Sequence, residues 1–278
     1  MRDVSLDEIA ATLLGSKKYR KIDLAAETVH AVVSEEVSRH RHLEKAIEQA
    51  RRKLHHVAAA YLGDPDYEAA EIEFGAVADG DVKRLRDVIL KIAAAHATTR
   101  ERLAVVDEYY ERIFAVTGRP RVVLDLACGL NPLLLAWMNL PHGAQYHAYD
   151  VRRRRVEFLN RFLQMVRLPP LAKLQDVLVR RPLEHGDVAL LLQEAHRIEQ
   201  RRSGASRTLL EGISARHVVL SLPIHSLGSR HSLARAHRSL FQRIVRGTSW
   251  PVQELEIGNE LVFCIDKGPG AVPAASAG

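Results

Sequence analysis

Residues 122–132 constrain the fold of this chain most. Val122-Val123-Leu124-Asp125-Leu126 is an apolar run that breaks into the small-residue turn Ala127-Cys128-Gly129-Leu130-Asn131-Pro132. Such a pattern predicts a buried strand entering a tight turn. The next apolar run, Tyr146-His147-Ala148-Tyr149, closes on Asp150, about 20 positions further on. An acidic residue ending the second strand of an open parallel sheet can accept both hydroxyls of a ribose, and small turn residues let the backbone approach a ligand. The spacing therefore predicts a nucleotide-type cofactor site. A dinucleotide needs the G-x-G-x-x-G cradle for its pyrophosphate. Here the turn carries only Gly129. It suits S-adenosylmethionine, which has a ribose and an amino-acid tail but no phosphate. Two smaller readings stay open beside this one: Asp125 ties down the turn, and Cys128 is a packing residue rather than a nucleophile.

Around this core, apolar residues recur at helical spacing in the first part of the chain: Val29, Val32, Val33 and Val37, then Ile47, Leu54, Val57 and Ala58. Gly63-Asp64-Pro65 breaks the second of these helices. A further helix is expected over 67–78. Asp81 is expected to cap the next, with Val82, Leu85, Ile89 and Ile92 on one face. Another is expected to run unbroken from Thr99 through Leu103, Val106, Tyr110 and Ile113. Gly118-Arg119-Pro120 then separates helices from strands. Strands are expected over 121–127, 145–150, 172–176, 187–192, 217–222 and 260–266, the last paired with 252–257 in an antiparallel hairpin across Gly258-Asn259. Alternating strand and helix predicts an α/β fold with a parallel sheet.

The positive charge is one-sided. The formal net charge is +6, Arg152 to Arg155 form an unbroken run, and the segment from Arg197 to Arg246 holds ten arginines against Glu199 and Glu211 alone. Such a field attracts polyanions, and arginine suits planar contacts to phosphate and base edges; a solvated basic face is the competing reading. Cys128 and Cys264 give neither a disulfide framework nor metal-ligand spacing, so no metal is expected. No run approaches a membrane span, the first residues carry no leader pattern, and a reducing cytoplasm is the expected setting.

Several motifs together resemble the aminoglycoside-resistance 16S ribosomal RNA methyltransferases, which methylate N7 of guanine 1405 in the decoding site of the small ribosomal subunit. They are Ser16-Lys17-Lys18-Tyr19-Arg20, Arg39-His40, Ala50-Arg51-Arg52-Lys53-Leu54-His55, His96-Ala97-Thr98-Thr99-Arg100-Glu101-Arg102-Leu103, the 123–132 segment, Leu174-Gln175-Asp176-Val177-Leu178, Ser221-Leu222-Pro223-Ile224-His225-Ser226-Leu227-Gly228 and Ile257-Gly258-Asn259-Glu260-Leu261. They occur in the family's order along nearly the whole chain.

The resemblance implies a helical RNA-docking domain over 1–116, a Rossmann-like S-adenosylmethionine-dependent methyltransferase domain over 117–267 and a disordered tail over 268–278, acting as a monomer on the small subunit. Asp150 is expected on the adenosine ribose. Ala127 and Gly129 are expected at the methionine end, with Arg100 on the cofactor carboxylate and Arg102 its rival. Val151, Gln175 and Asp176 are expected around the adenine. His40 either reaches the cofactor or is an ordinary satisfied histidine. Lys17, Lys18, Arg20, Arg51, Arg52 and Lys53 are candidates for phosphate contact, against a solvated helix face. Ser221, Ser226 and Arg230 lie in the loop expected to hold the flipped guanine. Glu260 either accepts from the guanine Watson–Crick edge or is a surface carboxylate of the hairpin. The resemblance requires no general base, because N7 carries a free lone pair.

Two departures from the family's pattern stand out. Where it reads F-K-x-L-P-x-L-E, this chain has Leu192-Gln193-Glu194-Ala195-His196-Arg197-Ile198-Glu199, so Gln193 takes the lysine's place in the cofactor site. Where it reads P-T-R-S-L-G-G-R, the chain has 223–230 with Ile224 and His225. A methyltransferase for another RNA base, and an RNA-binding homologue without catalysis, remain alternative readings.

Overall fold

The computed structural model describes residues 5–15, 23–58, 63–78, 80–226 and 231–268. Lys17, Lys18, Arg20, Arg230 and the segment 269–278 lie outside the described residues.

The chain begins with helices α1 (Leu6–Gly15), α2 (Ala26–Arg39) and α3 (Leu43–Ala58). Their apolar faces, including Ile9, Leu13, Val29, Val32, Ala50 and Leu54, form a core of their own. Helices α4 (Tyr67–Gly75), α5 (Val82–Ala93), α6 (Ala97–Leu103) and α7 (Val106–Thr117) follow. Asp66 caps α4 by accepting from the amides of Glu68 and Ala69, and Asp81 caps α5 by accepting from that of Arg84.

The expected unbroken helix from Thr99 to Ile113 is two helices. The chain turns at Ala104-Val105, where Val105 packs against Gly258 of the C-terminal hairpin so closely that a Cβ there would lie 2.9 Å from Val105 Cγ2. A contact so distant in sequence leaves no local signal.

The remaining elements are β1 (Val122–Leu126), a 3-10 turn (Asn131–Leu134), α8 (Leu135–Met138), β2 (Gln145–Asp150), α9 (Arg153–Met165), β3 (Ala172–Leu174), β4 (Gly186–Leu192), α10 (Ala195–Arg201), α11 (Ala205–Gly212), β5 (Ala215–Pro223), α12 (Ala234–Val245), β6 (Val252–Ile257) and β7 (Glu260–Asp266). They form one sheet in the order β3-β2-β1-β4-β5-β7-β6. Pairing is parallel from β3 through β5 and antiparallel at β7 and β6. β3 is shorter than expected because Asp176 leaves the sheet to start a turn, its carbonyl accepting from the amides of Val179 and Arg180.

The chain runs outward from β1 to β3 and returns to β4 on the other side of β1. That reversal opens a crevice at the carboxyl ends of β1 and β4, where open α/β sheets bind ligands. Side chains alternate along β1: Val123 faces a core shared with Phe74, Ile89, Tyr110 and Phe158, and Leu124 faces one shared with Ile198, Leu209 and Phe241. Helices α4, α5 and α7 thus share the apolar core of the sheet. The separate core ends with α3.

Candidate active site

A cavity lies at that crevice. Its wall takes Ala127, Gly129 and Asp125 from the end of β1, Asp150 and Val151 from β2, and Gln175 and Asp176 from β3. Glu194, Arg197 and Arg201 come from beyond β4, His96 and Arg102 from α6, and His56 from the end of α3. The α1–α3 unit is stitched over it. The Ala25 amide donates to Val151 O at 2.8 Å, the Arg153 amide to Asp23 O at 3.0 Å, and Glu27 Oε1 accepts from the Asp176 amide at 2.8 Å.

Asp150 is 5% exposed. Its Oδ2 accepts from the Gly129 amide at 3.1 Å and from Arg155 at 2.9 Å, and its Oδ1 from the Arg152 amide at 2.8 Å. A carboxylate oxygen has two acceptor sites, so Oδ1 keeps one for a ligand hydroxyl. Ala127 and Gly129 both take left-handed backbone angles, φ 54° and 55°. This winds the turn tightly and leaves no room for a side chain on Gly129, whose Cβ would meet His96 Cε1 at 2.9 Å. Burial, with Arg155, Arg197 and Arg102 nearby, holds His96 well below the usual imidazole range. The ring is therefore neutral, contacting the hydroxyls of Thr99 and Thr98 at 3.1 and 3.2 Å.

Beneath the turn runs a buried polar network that the sequence reading missed. Asn131 donates to Asp125 at 3.0 Å and accepts from Arg102 at 2.9 Å and from Tyr110 at 2.6 Å. Tyr146 donates to Asp125. Burial pushes the Asp125 carboxyl up to about 7, against the pull of Tyr146 and Asn131. Burial disfavours the Arg102 cation, but the adjacent Glu260 carboxylate holds it charged. Burial also raises the Cys128 thiol well above its ordinary range, which fits a packing residue.

Several sequence-derived placements need correction. Arg100 is exposed and donates to Ala94 O at 3.1 Å, while Arg102 lines the cavity. Positions i and i+2 on a helix face different ways, so the two cannot share this wall. Glu260 is neither a surface carboxylate nor open to a base. It is 2% exposed and accepts from Arg102, from Tyr109 at 2.7 Å and from Gln193 at 2.9 Å. Gln193, expected at the cofactor, turns its side chain to Glu260 instead. His40 lies at the end of α2 beside Glu36 at 3.2 Å, away from the cavity wall. Ser221 is fully buried and accepts from the Gln193 amide at 3.0 Å, so its hydroxyl braces the end of β4. The Ser226 amide donates to His231 O at 3.3 Å.

On α3, Arg51 and Arg52 are exposed, and Arg52 pairs with Glu48 at 3.2 Å. Lys53 instead bridges to Glu36 of α2 at 2.7 Å. The arginine run 152–155 also divides. Arg152 and Arg155 turn inward to Asp64, and Arg153 and Arg154 stay outside. Gln175 and Asp176 do line the cavity, with Asp176 held by Arg201 at 2.7 Å and by the Leu178 amide at 3.0 Å.

Among the described residues, no helix is long and apolar enough to cross a membrane. Nor does any group of three or more His, Cys, Asp or Glu there have an arrangement that would hold a metal ion.

Over 270 residues the chain is 31% identical to the 16S rRNA (guanine(1405)-N(7))-methyltransferase of Frankia casuarinae, covering 95% of this chain and 94% of that one. It is likewise 31% identical over 265 residues to the enzyme of that name from Serratia marcescens, covering 95% and 99%. The fold superposes on the 16S rRNA methyltransferase RmtF in complex with S-adenosyl-L-homocysteine with a TM-score of 0.78 at 27% identity, over 96% of this chain and 100% of that one. An rRNA methylase from Escherichia coli gives 0.75 at 29% identity, over 95% and 100%. A family model described as Ribosomal RNA methyltransferase (FmrO) matches residues 15–264. The chain belongs to the FmrO family of ribosomal RNA methyltransferases.

Proposed function

We propose that this protein is the S-adenosylmethionine-dependent methyltransferase of 16S rRNA guanine 1405 at N7, acting on the small ribosomal subunit and conferring aminoglycoside resistance. The observation that carries the reading is Asp150 in a cavity at the β1–β4 reversal, within a chain that matches the family from residue 15 to residue 264. The donors and acceptors present fit the cofactor. Asp150 suits a ribose hydroxyl, and Gln175 and Asp176 suit the adenine amine, with Val151, Val177, Leu178 and Ile198 as apolar walls. The left-handed turn at Ala127 and Gly129 suits the methionine end, and Arg102, not Arg100, lies in the cavity wall.

When bound, S-adenosylmethionine supplies a sulfonium methyl group, which guanine N7 takes with its lone pair as the carbon–sulfur bond breaks. No proton has to leave N7 first. The residues therefore act by placement, and proximity and orientation carry the rate.

The cavity is also matched in charge. His96 is neutral, and the arginines of the wall are paired: Arg102 with Glu260, Arg152 with Asp64, Arg155 with Asp150 and Asp64, Arg197 with Glu194, and Arg201 with Asp176. A cationic cofactor meets little net repulsion there.

Helices α1, α2 and α3, with Arg51 and Arg52 exposed on α3, are the surface assigned to ribosomal RNA. A ribosomal substrate sets the protein's work in the cytoplasm, and we assign it there as a monomer. Two measurements test the reading: methyl transfer to purified small subunits, mapped by borohydride–aniline cleavage, and the resistance profile of expressing cells. Cleavage at guanine 1405, with resistance to gentamicin and kanamycin but not apramycin, is expected. Methylation at another base would overturn the assignment.

A further inference from the structure

Four carboxylates line the cavity at the β1–β4 reversal: Asp125, Asp150, Asp176 and Glu194. Three are tied by several protein donors. Asp125 holds Tyr146 and Asn131, Asp150 holds two backbone amides and Arg155, and Asp176 holds the Leu178 amide and Arg201. Glu194 differs. Its Oε2 meets Arg197, and its side chain is 21% exposed. β4 ends at Leu192, Gln193 takes φ 55°, and Glu194 is the N-cap of α10. The left-handed residue turns the chain so that Glu194 sits in the cavity wall beside the switch point.

We infer that Glu194 reads the target base, its carboxylate accepting the adjacent N1–H and N2–H donors of the guanine Watson–Crick edge. This rests on the reading of the protein as a guanine-N7 methyltransferase. An ionised carboxylate is acceptor-only and can take two donors side by side. Among the four RNA bases, guanine alone presents two adjacent donors on that edge. Adenine would turn the lone pair of N1 toward the carboxylate. A base taken from its stack is read along this edge by the pocket that receives it. N7 lies on the opposite side of the ring, so a grip at N1 and N2 leaves its lone pair clear for the methyl group. Arg197 pairs with the carboxylate, and the same guanidinium donates to Gln193 O at 3.2 Å. Glu260, the carboxylate that the sequence pointed to, is sealed by Arg102, Tyr109 and Gln193 and cannot serve.

The test uses small subunits reconstituted with either guanine or inosine at the target position, inosine lacking the 2-amino group. Methyl transfer is measured for the wild type, Glu194→Ala and Glu194→Gln, with S-adenosylmethionine affinity measured by calorimetry. Losing one hydrogen bond to a charged acceptor changes discrimination by about tenfold or more. The wild type is expected to prefer guanine by that factor. Glu194→Ala is expected to bring the ratio close to one and to lower kcat/KM at unchanged cofactor affinity, with Glu194→Gln between the two. An alanine variant that keeps the wild-type ratio overturns the inference. So does one whose cofactor affinity falls in step with kcat/KM, which would put Glu194 on the methionine ammonium. Wild-type protein that leaves guanine subunits unmethylated overturns the guanine-N7 reading itself, and this inference with it.

Discussion

Arg102 of α6 and Glu260 at the start of β7, 158 residues apart, form an ion pair at 2.9 Å with both side chains 2% exposed. Each has further partners: Asn131 on Arg102, and Tyr109 and Gln193 on Glu260. The pair ties the helices before the sheet to its antiparallel edge, directly beneath the turn of the candidate site. Removing one member leaves a buried charge alone, which costs about 3–5 kcal/mol. Glu260→Ala is expected to lower the unfolding free energy by that amount in urea titrations, and Glu260→Gln by less. A change below about 1 kcal/mol would show that water or a neighbour satisfies Arg102.

Asp150→Ala is expected to abolish S-adenosylmethionine binding, measured by calorimetry. The substitution removes the acceptor for the ribose and also leaves Arg155 with Asp64 as its remaining partner. Unchanged affinity would remove the central assignment of the site.

Gly129→Ala places a methyl group 2.9 Å from the His96 ring at φ 55°. The left-handed conformation alone costs an alanine roughly 1–2 kcal/mol, and the clash adds to it. Cofactor affinity is expected to fall at least tenfold. Combining it with His96→Ala should recover part of the loss; no recovery would place the damage in the backbone alone.

Asp125 makes stability depend on pH. Its carboxyl is raised in the folded state to about 7, so between about 4 and 7 the native state holds a proton that the unfolded chain has released. Stability from this group is full at low pH and declines as pH rises toward 7. Asp125→Asn removes the dependence. The stability of the wild type relative to that variant, from urea unfolding at successive pH values, is expected to fall between pH 4 and 7 and to level above it. A flat difference would mean that the network keeps Asp125 ionised.

The sheet and the strand-end wall of the cavity were legible because their signals are local. Apolar runs of strand length mark β1, β2, β4, β5 and β7, and Asp150 is marked by its place at a strand end. Asp66 and Asp81 show the same economy, since an N-cap bonds amides two or three residues away. Arg100 and Arg102 were not separable, because both are arginines in one short helix and only its docking angle selects one. The basic runs misled in part: charge is countable in a sequence, but the carboxylates that consume Arg152, Arg155, Arg197 and Arg201 come from Asp64, Asp150, Glu194 and Asp176, most of them in other elements.

The sequence by itself determined the α/β architecture, the tight turn after β1 and the acidic residue that faces it. Hydrophobic periodicity, turn chemistry and strand spacing act over a few residues and survive without the fold. Only the tertiary structure decided that Glu260 is sealed rather than exposed, that Gln193 braces it, that Val105 interrupts a helix, and that Glu194 is left facing the cavity. Each outcome depends on which buried donor meets which acceptor across long sequence separations, and that pairing exists only once the chain has closed around it.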